Sequence, residues 1–199
     1  MKKYFGLLVI ALSVSIVSCD KDDSNGGSEG ELVYGCTDEN ALNYNASATN
    51  DDGSCTYSND FIINGDWEIT HLEYSTEVEV PILGTLPVEG EAEDAGFYQI
   101  DAITHTYVGN VDFMTEPMNI GGFDVPSMPV QIPSEGTWAF ANDDTELHFT
   151  STEGVLQVYE VENLTADFAL LRGYVTFPFD FPGIGAMDLD IELELQLEK

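Results

Sequence analysis

Cys19 is the first residue whose surroundings predict a chemical modification. It follows Lys2 and Lys3, an apolar run over residues 4–17, and the small residue Ser18. Basic residues, an apolar stretch and small residues before a processing point are the layout of a secretory signal. The apolar run is shorter than the roughly 20 residues that a membrane-spanning helix needs, and an uncleaved anchoring helix is the alternative. The pattern predicts an exported protein.

Residues 16–19 (Ile-Val-Ser-Cys) resemble the lipobox of bacterial lipoproteins. The resemblance implies that residues 1–18 are a signal peptide and that acyl chains such as palmitate on Cys19 anchor the protein to the outer membrane. Residues 20–23 (Asp-Lys-Asp-Asp) are similar to the acidic surface-export signal of lipoproteins in Bacteroidetes-type bacteria; a solvated spacer is the alternative. We therefore expect residues 19–33 to form an acidic, flexible tether that displays the protein on the cell exterior.

The charge of the chain excludes one class of partner. Its 199 residues include 37 acidic and 5 basic ones, a formal charge of −32 that becomes −34 if the signal lysines are removed. Binding to nucleic acid or to an anionic membrane surface requires lysine and arginine to neutralise phosphates, so neither is expected as a partner. Self-repulsion of this size destabilises a compact state, and divalent cations are therefore expected to stabilise the fold.

Lipidation of Cys19 would leave Cys36 and Cys55, which we expect to form a disulfide in an oxidising compartment. They lie in residues 34–57, which resemble a short cysteine module of secreted Bacteroidetes proteins with the pattern Gly-Cys-Thr-Asp…Asp-Asp-Gly-Ser-Cys. The module has few apolar residues. Its folding would depend on the disulfide, which contributes roughly 3 kcal/mol in the chain-entropy description.

The same module concentrates side-chain oxygens. Calcium takes about six to eight oxygen ligands from carboxylates, amides and carbonyls, so calcium is a candidate cofactor, although the spacing does not match an EF-hand loop. The alternative is a cluster of turns in which these side chains hydrogen-bond their own backbone. The candidate ligands are Asp38, Asn40, Asn45, Asp51 and Asp52.

Residues 61–199 have the pattern of β-strands and form the main domain. From Met187 to Glu198 apolar residues alternate with acidic or amide ones, which predicts a strand with one buried face. Residues 152–154 predict a tight hairpin loop, and the other predicted strands cover residues 66–80, 97–108, 110–119, 130–140, 146–150, 155–163 and 168–179. About eight antiparallel strands avoid exposed edges best by closing into a barrel, so the predicted fold class is an all-β, antiparallel barrel.

Residues 64–69 (Asn-Gly-Asp-Trp-Glu-Ile) resemble the Gly-x-Trp opening of lipocalins and of lipocalin-like lipoproteins of Bacteroidetes. Segments 136–140, 147–149 and 159–171 follow the order seen in that group, although the Thr-Asp-Tyr signature of true lipocalins is absent. The resemblance implies a lipocalin-like barrel whose closed end holds a tryptophan beneath an arginine. Trp67 and Arg172 are the candidates, with a cation–π contact worth about 1 kcal/mol; the alternative is that the two never meet.

Three segments rich in proline and glycine interrupt the strand pattern, at residues 81–88, 120–130 and 179–187, yet they are apolar. In one hypothesis these segments lie together at one mouth of the barrel and form an entrance or docking surface. In the other they fold over the barrel and complete its core. The candidate ligand-binding or partner-binding residues are Phe123, Phe181 and Ile184.

No catalytic motif is present. The three histidines, at positions 71, 105 and 148, occur singly, and neither a His-Glu-x-x-His nor a Gly-x-Ser-x-Gly pattern occurs. We therefore predict a protein that is not an enzyme. The first function is binding of a small apolar ligand, which requires a cavity beside small inward-facing residues; the alternative is a structural or interaction protein with a filled barrel, with calcium as a candidate stabiliser.

Overall fold

The computed structural model describes residues 32–80, 84–120, 122–181 and 185–199, and it describes only the backbone of Val80, Ile120, Phe123, Asp180 and Phe181. Cys19 and Ile184 therefore lie outside the described residues, as do the side chains of Phe123 and Phe181. Within the described chain, no helix has the length and apolar character needed to cross a bilayer.

The described residues form one short helix and eleven strands. Ser58 caps the helix, because its side chain accepts a hydrogen bond from the Phe61 amide. The elements are α1 (Asn59–Ile63), β1 (Gly65–Val80), β2 (Gly84–Glu93), β3 (Gly96–Asp101), β4 (Thr106–Met114), β5 (Met118–Ile120), β6 (Phe123–Val125), β7 (Pro129–Ala141), β8 (Glu146–Ser151), β9 (Leu156–Leu164), β10 (Phe168–Phe181) and β11 (Gly185–Glu198).

The strands close into an antiparallel barrel. Strands β3, β4, β7, β8, β9, β10 and β11 pair in that order, and β1 pairs with both β3 and β11 to complete the ring. Strand β2 pairs with the later part of β1 and leads into β3 across Asp94 and Ala95, so β2 and β3 together occupy one position in the wall. Strands β5 and β6 form a separate small sheet between β4 and β7. The predicted eight-stranded, all-β barrel is confirmed.

The alternation of apolar and polar residues along β11 explains why the first and last strands join to close the barrel. Leu193, Leu195 and Leu197 are fully buried, whereas Glu194 and Gln196 between them point outward. In the antiparallel register, Leu195 lies opposite Leu72 of β1, and Leu193 lies opposite Tyr74. The seam between the first and last strands is therefore as apolar as the rest of the core.

Several predicted strand boundaries are wrong, and two of them have a clear physical reason. The predicted strand over residues 97–108 is broken by a turn, in which the Asp101 carboxylate accepts hydrogen bonds from the amides of Ile103 and Thr104 and His105 adopts a left-handed φ of 52°. The first half of strand β2 falls in the segment predicted to be a loop. Its proline and glycines conceal an alternation in which Val88 faces the core and Glu89 faces solvent.

Tyrosine rings fill the barrel by lying over glycines. Three glycines of the wall each have a tyrosine as the directly opposite residue of the neighbouring strand; the pairs are Gly90 with Tyr74, Gly109 with Tyr98, and Gly173 with Tyr159. A Cβ atom added to any of these glycines would collide with the ring of its partner. The small inward-facing residues therefore make room for aromatic rings of the protein itself, and these rings occupy space that a ligand would need.

We predict that Gly109→Ala destabilises the barrel by about 1–3 kcal/mol, because the added methyl overpacks the site against the Tyr98 ring. In a Tyr98→Leu background the same substitution should cost much less, since the colliding ring is gone. The measurement is urea unfolding of the four chains of this double-mutant cycle. Val108→Ala, at the half-exposed preceding position, is the control and should change stability by less than about 0.5 kcal/mol. Equal costs of Gly109→Ala in both backgrounds would contradict the pairing.

Candidate functional site

The closed end of the barrel is built around Trp67. Trp67 is 1% exposed, and its Nε1 donates a hydrogen bond to the Ile63 carbonyl at 2.6 Å, which fixes α1 across this end. The ammonium of Lys199 lies 4.4 Å from the centre of the Trp67 ring and donates to the Ile62 carbonyl at 2.8 Å. Partial burial lowers the pKa of the Lys199 ammonium below its usual value. Tryptophan, helix and lysine thus form one cap.

Arg172 does not cover Trp67, and this corrects the prediction from the sequence. Because Leu171 faces the core, the alternation of β10 places Arg172 on the outer face. There its guanidinium pairs with Glu162 at 3.0 Å and with Glu194. Lys199 supplies the cation instead, because the register that pairs Glu68 with Glu198 places Lys199 beside Trp67. In the sequence, the one signal for this contact was the position of Lys199 directly after the predicted last strand.

The cysteine module contains the predicted disulfide. Cys36 and Cys55 are bonded, with a Cα–Cα distance of 4.8 Å. Backbone hydrogen bonds from Gly35 to Asn50 and from Asn45 to Cys36 join the two halves of the loop. The disulfide prediction is confirmed.

The proposed calcium ligands use oxygens within their own turns. Asp38 accepts from the Asn40 amide and from the Tyr57 hydroxyl, and these bonds lower the pKa of its carboxyl. The side chains of Asn45, Asp51 and Asp52 each accept from the backbone amide two residues later. The described residues include no group of three or more acids, histidines or cysteines arranged for a metal. This geometry matches the turn-cluster alternative, and calcium binding stays a prediction.

The described strand ends that flank the three apolar segments lie at the same end of the barrel, called here the open end. Two positions of the wall, β2/β3 and β4, separate the first segment from the second, and four strands, β7 to β10, separate the second from the third. Both numbers are even, so the hairpins β1–β2, β4–β7 and β10–β11 project from the same end. The sequence did not determine how many strands separate the segments. The observed number shows that the three hairpins share one end of the barrel.

Most of the described apolar residues in the three segments pack inward. Val88, Val125 and Phe179 are buried, and Met118 and Met128 pack against the core. An apolar cavity of about 20 Å³ remains among them, roughly the space of one water molecule. These side chains therefore complete the core at the open end, whereas Ile184 and the side chains of the candidate residues Phe123 and Phe181 lie outside the described residues.

Each histidine is engaged with its own acidic neighbour. His71 lies 2.9 Å from Glu93, which raises the pKa of the imidazole. His148 lies 2.7 Å from Glu146, and His105 lies 3.8 Å from Asp60. The three pairs lie apart from one another: one joins β1 to β2, one lies within β8, and one joins α1 to the turn between β3 and β4.

No protein-family model, curated protein or solved structure matches the chain. The barrel, the Trp67 cap and the disulfide are therefore known from the chain's own geometry. The resemblance to lipocalin-like lipoproteins remains a prediction from motifs.

We predict that Lys199→Met lowers the free energy of unfolding by roughly 1–2 kcal/mol, because it removes the cation–π contact and the hydrogen bond to Ile62 but keeps an apolar stem. In a Trp138→Phe background the fluorescence of Trp67 should also change. The control is Arg172→Met, which should leave Trp67 emission unaltered. An emission change with the Arg172 variant and none with the Lys199 variant would contradict the assignment.

Proposed function

We propose that this chain is a lipid-anchored binding protein of the bacterial outer membrane, without enzymatic activity, that holds an apolar group of a partner at the open end of its barrel. The anchor is the acylated Cys19. The gathering of three apolar hairpins at one end carries the proposal. The lipobox-like segment and the acidic composition support export to the cell exterior.

The position of the N-terminal module at one end of the barrel supports this arrangement. The N-terminal module joins the barrel at the closed end, where Tyr57 stacks on Phe61 of α1 with ring centres 4.8 Å apart. Asn59 donates to Asp144 in the turn between β7 and β8, and Asp60 faces His105. A tether that enters here leaves the opposite end free, so the hairpin tips would project away from the membrane.

The packed interior favours an interaction protein over a carrier. Tyr98 and Tyr159 are buried with their hydroxyls 3.4 Å apart, and burial raises the pKa of Tyr159 to about 12. These rings occupy the place where a carried ligand would lie. A partner would therefore engage the tips without entering the barrel.

A second function, capture of a small apolar ligand, is favoured by one feature. The 20 Å³ cavity at the open end is lined by Met118 and Met128 among other apolar residues. Methionine is unbranched and adapts its shape readily, so this cavity could enlarge if the hairpins moved apart.

We expect palmitate labelling of cells to mark the chain and to disappear with Cys19→Ala, because the thioether that carries the first acyl chain cannot form. Protease added to intact cells should digest the anchored protein, as expected for display on the exterior. The matched control is Cys36→Ala, which should keep the label. Label retained by the Cys19 variant would contradict the lipoprotein assignment.

If the hairpin tips form a docking surface, serine at Phe123, Phe181 and Ile184 should reduce binding of the neutral apolar probe Nile red while changing the free energy of unfolding by less than about 1 kcal/mol, as is usual for surface substitutions. Ile103→Ser, at a 92% exposed apolar position of the closed end, is the control and should leave probe binding unchanged. A loss of several kcal/mol with unaltered probe binding would show that the tips are plugs and would contradict a docking surface.

A further inference from the structure

The methionines of this chain are concentrated at the open end of the barrel. The chain has five methionines, and all but Met1 lie there. Met114 ends β4, Met118 begins β5, Met128 directly precedes β7, and Met187 is the third residue of β11. Elsewhere in the described barrel, the core consists of leucine, isoleucine, valine, alanine and aromatic side chains. The thioether group is therefore a feature of this end alone.

Two of these methionines share one cavity. Met118 and Met128 line the apolar cavity of about 20 Å³, together with aromatic residues that include Tyr74, Phe113 and Phe179. Both methionines are half-buried and pack against the core, so part of each residue is exposed to solvent while the rest contacts apolar groups. A small oxidant in solution can reach such a residue, whereas the product of oxidation would lie in apolar surroundings.

Hydrogen peroxide converts a thioether to a sulfoxide. A lone pair of the sulfur attacks one peroxide oxygen, the S–O bond forms, the O–O bond breaks, and the other oxygen leaves as water after proton transfer. The sulfur is oxidised by two electrons, and the peroxide is reduced by the same two. Methionine sulfoxide is polar and disrupts apolar cores. Its oxygen is unfavourable in an apolar cavity, and turning it toward water would withdraw the side chain from the core.

Hydrogen bonds at a neck, formed by residues 115–116 and 127–128, join the β5–β6 sheet to the barrel. The Thr115 amide donates to the Met128 carbonyl at 2.9 Å, and the Met128 amide donates to the Thr115 hydroxyl at 3.0 Å. The Ser127 hydroxyl donates to the Thr115 carbonyl, and the Glu116 amide donates to the Tyr74 hydroxyl at 3.1 Å. Met128 thus contributes its backbone to the neck and lines the cavity. Withdrawing its side chain from the core would displace these hydrogen bonds.

We propose that Met118 and Met128 are modification sites for peroxides, and that their oxidation to sulfoxides releases the β5–β6 sheet from the open end of the barrel. The sulfoxides leave the apolar cavity for water, the hydrogen bonds of the neck open, and the apolar groups around Phe113 become accessible. The closed end keeps its packing, because none of the four methionines lies there. This inference does not rest on the lipid anchor or on docking at the hairpin tips, since it concerns only the neck and the cavity.

The test treats the folded whole chain, purified in detergent, with hydrogen peroxide. Every chain compared carries Met187→Leu, so that the remaining barrel methionines are those at 114, 118 and 128. Peptide mass spectrometry should find one added oxygen at Met118 and at Met128. Hydrogen exchange measured by NMR should become about tenfold faster at the amides of Thr115, Glu116 and Met128, the equivalent of about 1.4 kcal/mol in the free energy of local opening. Exchange around Trp67 should not change, and methionine sulfoxide reductases for the two epimers should restore the original rates.

Met114 provides the matched control. It is 53% exposed, and the alternation of β4 places it on the outer face, opposite Pro129. Met114→Leu should therefore keep the faster exchange after peroxide. Replacing both Met118 and Met128 by leucine preserves volume and apolar character, which cores tolerate well, and should abolish the response.

The proposal is overturned if peroxide oxidises Met114 but leaves Met118 and Met128 unmodified, or if the double leucine variant responds as its parent chain does. It is equally overturned if oxidation speeds exchange throughout the barrel rather than at the neck. Met128→Gln gives an independent measurement without peroxide, because it places a polar group of similar length at the same position. It should speed exchange at the same amides, and unchanged rates in this variant would contradict the proposed opening.

Discussion

The packing of tyrosine rings over glycines is the constraint on which this barrel depends. A wall position without a side chain lets the ring from the neighbouring strand lie flat across it, as Tyr98 does over Gly109. The ring then reaches the centre of the barrel and stacks on Phe149, with centres 5.1 Å apart. An interior formed this way is dense without being purely aliphatic, and it leaves buried hydroxyls that must find partners.

Repulsion between acidic side chains on the outer surface destabilises the barrel, so the fold depends on the stability that a dense interior provides. Glu73 of β1 lies directly between Glu91 of β2 and Glu194 of β11, and like charges opposite one another across strands are destabilising. Arg172 offsets part of this repulsion by pairing with Glu194 and Glu162. Exposed ion pairs contribute little to stability, so burial of apolar surface must offset most of the repulsion.

The two ends of the barrel are built differently. At the closed end, α1, Trp67 and Lys199 form a cap that also receives the N-terminal module. At the open end, three long hairpins project past the wall, and their edges carry prolines such as Pro87 and Pro133, which discourage pairing with other chains. Position along the barrel thus separates the Trp67 cap from the three hairpins.

The sequence by itself determined the strand class, the disulfide and the placement of most strands, because the alternation of apolar and acidic residues over 187–198 and the pairing of two cysteines are local signals. It did not determine β2, whose proline and glycines resemble a loop, or the cation over Trp67, because Lys199 reaches the ring only through the register between β1 and β11. Whether inward glycines leave a cavity, and which polar atoms remain unpaired, depended on which strands become neighbours. That is a property of barrel closure, which joins residues more than a hundred positions apart.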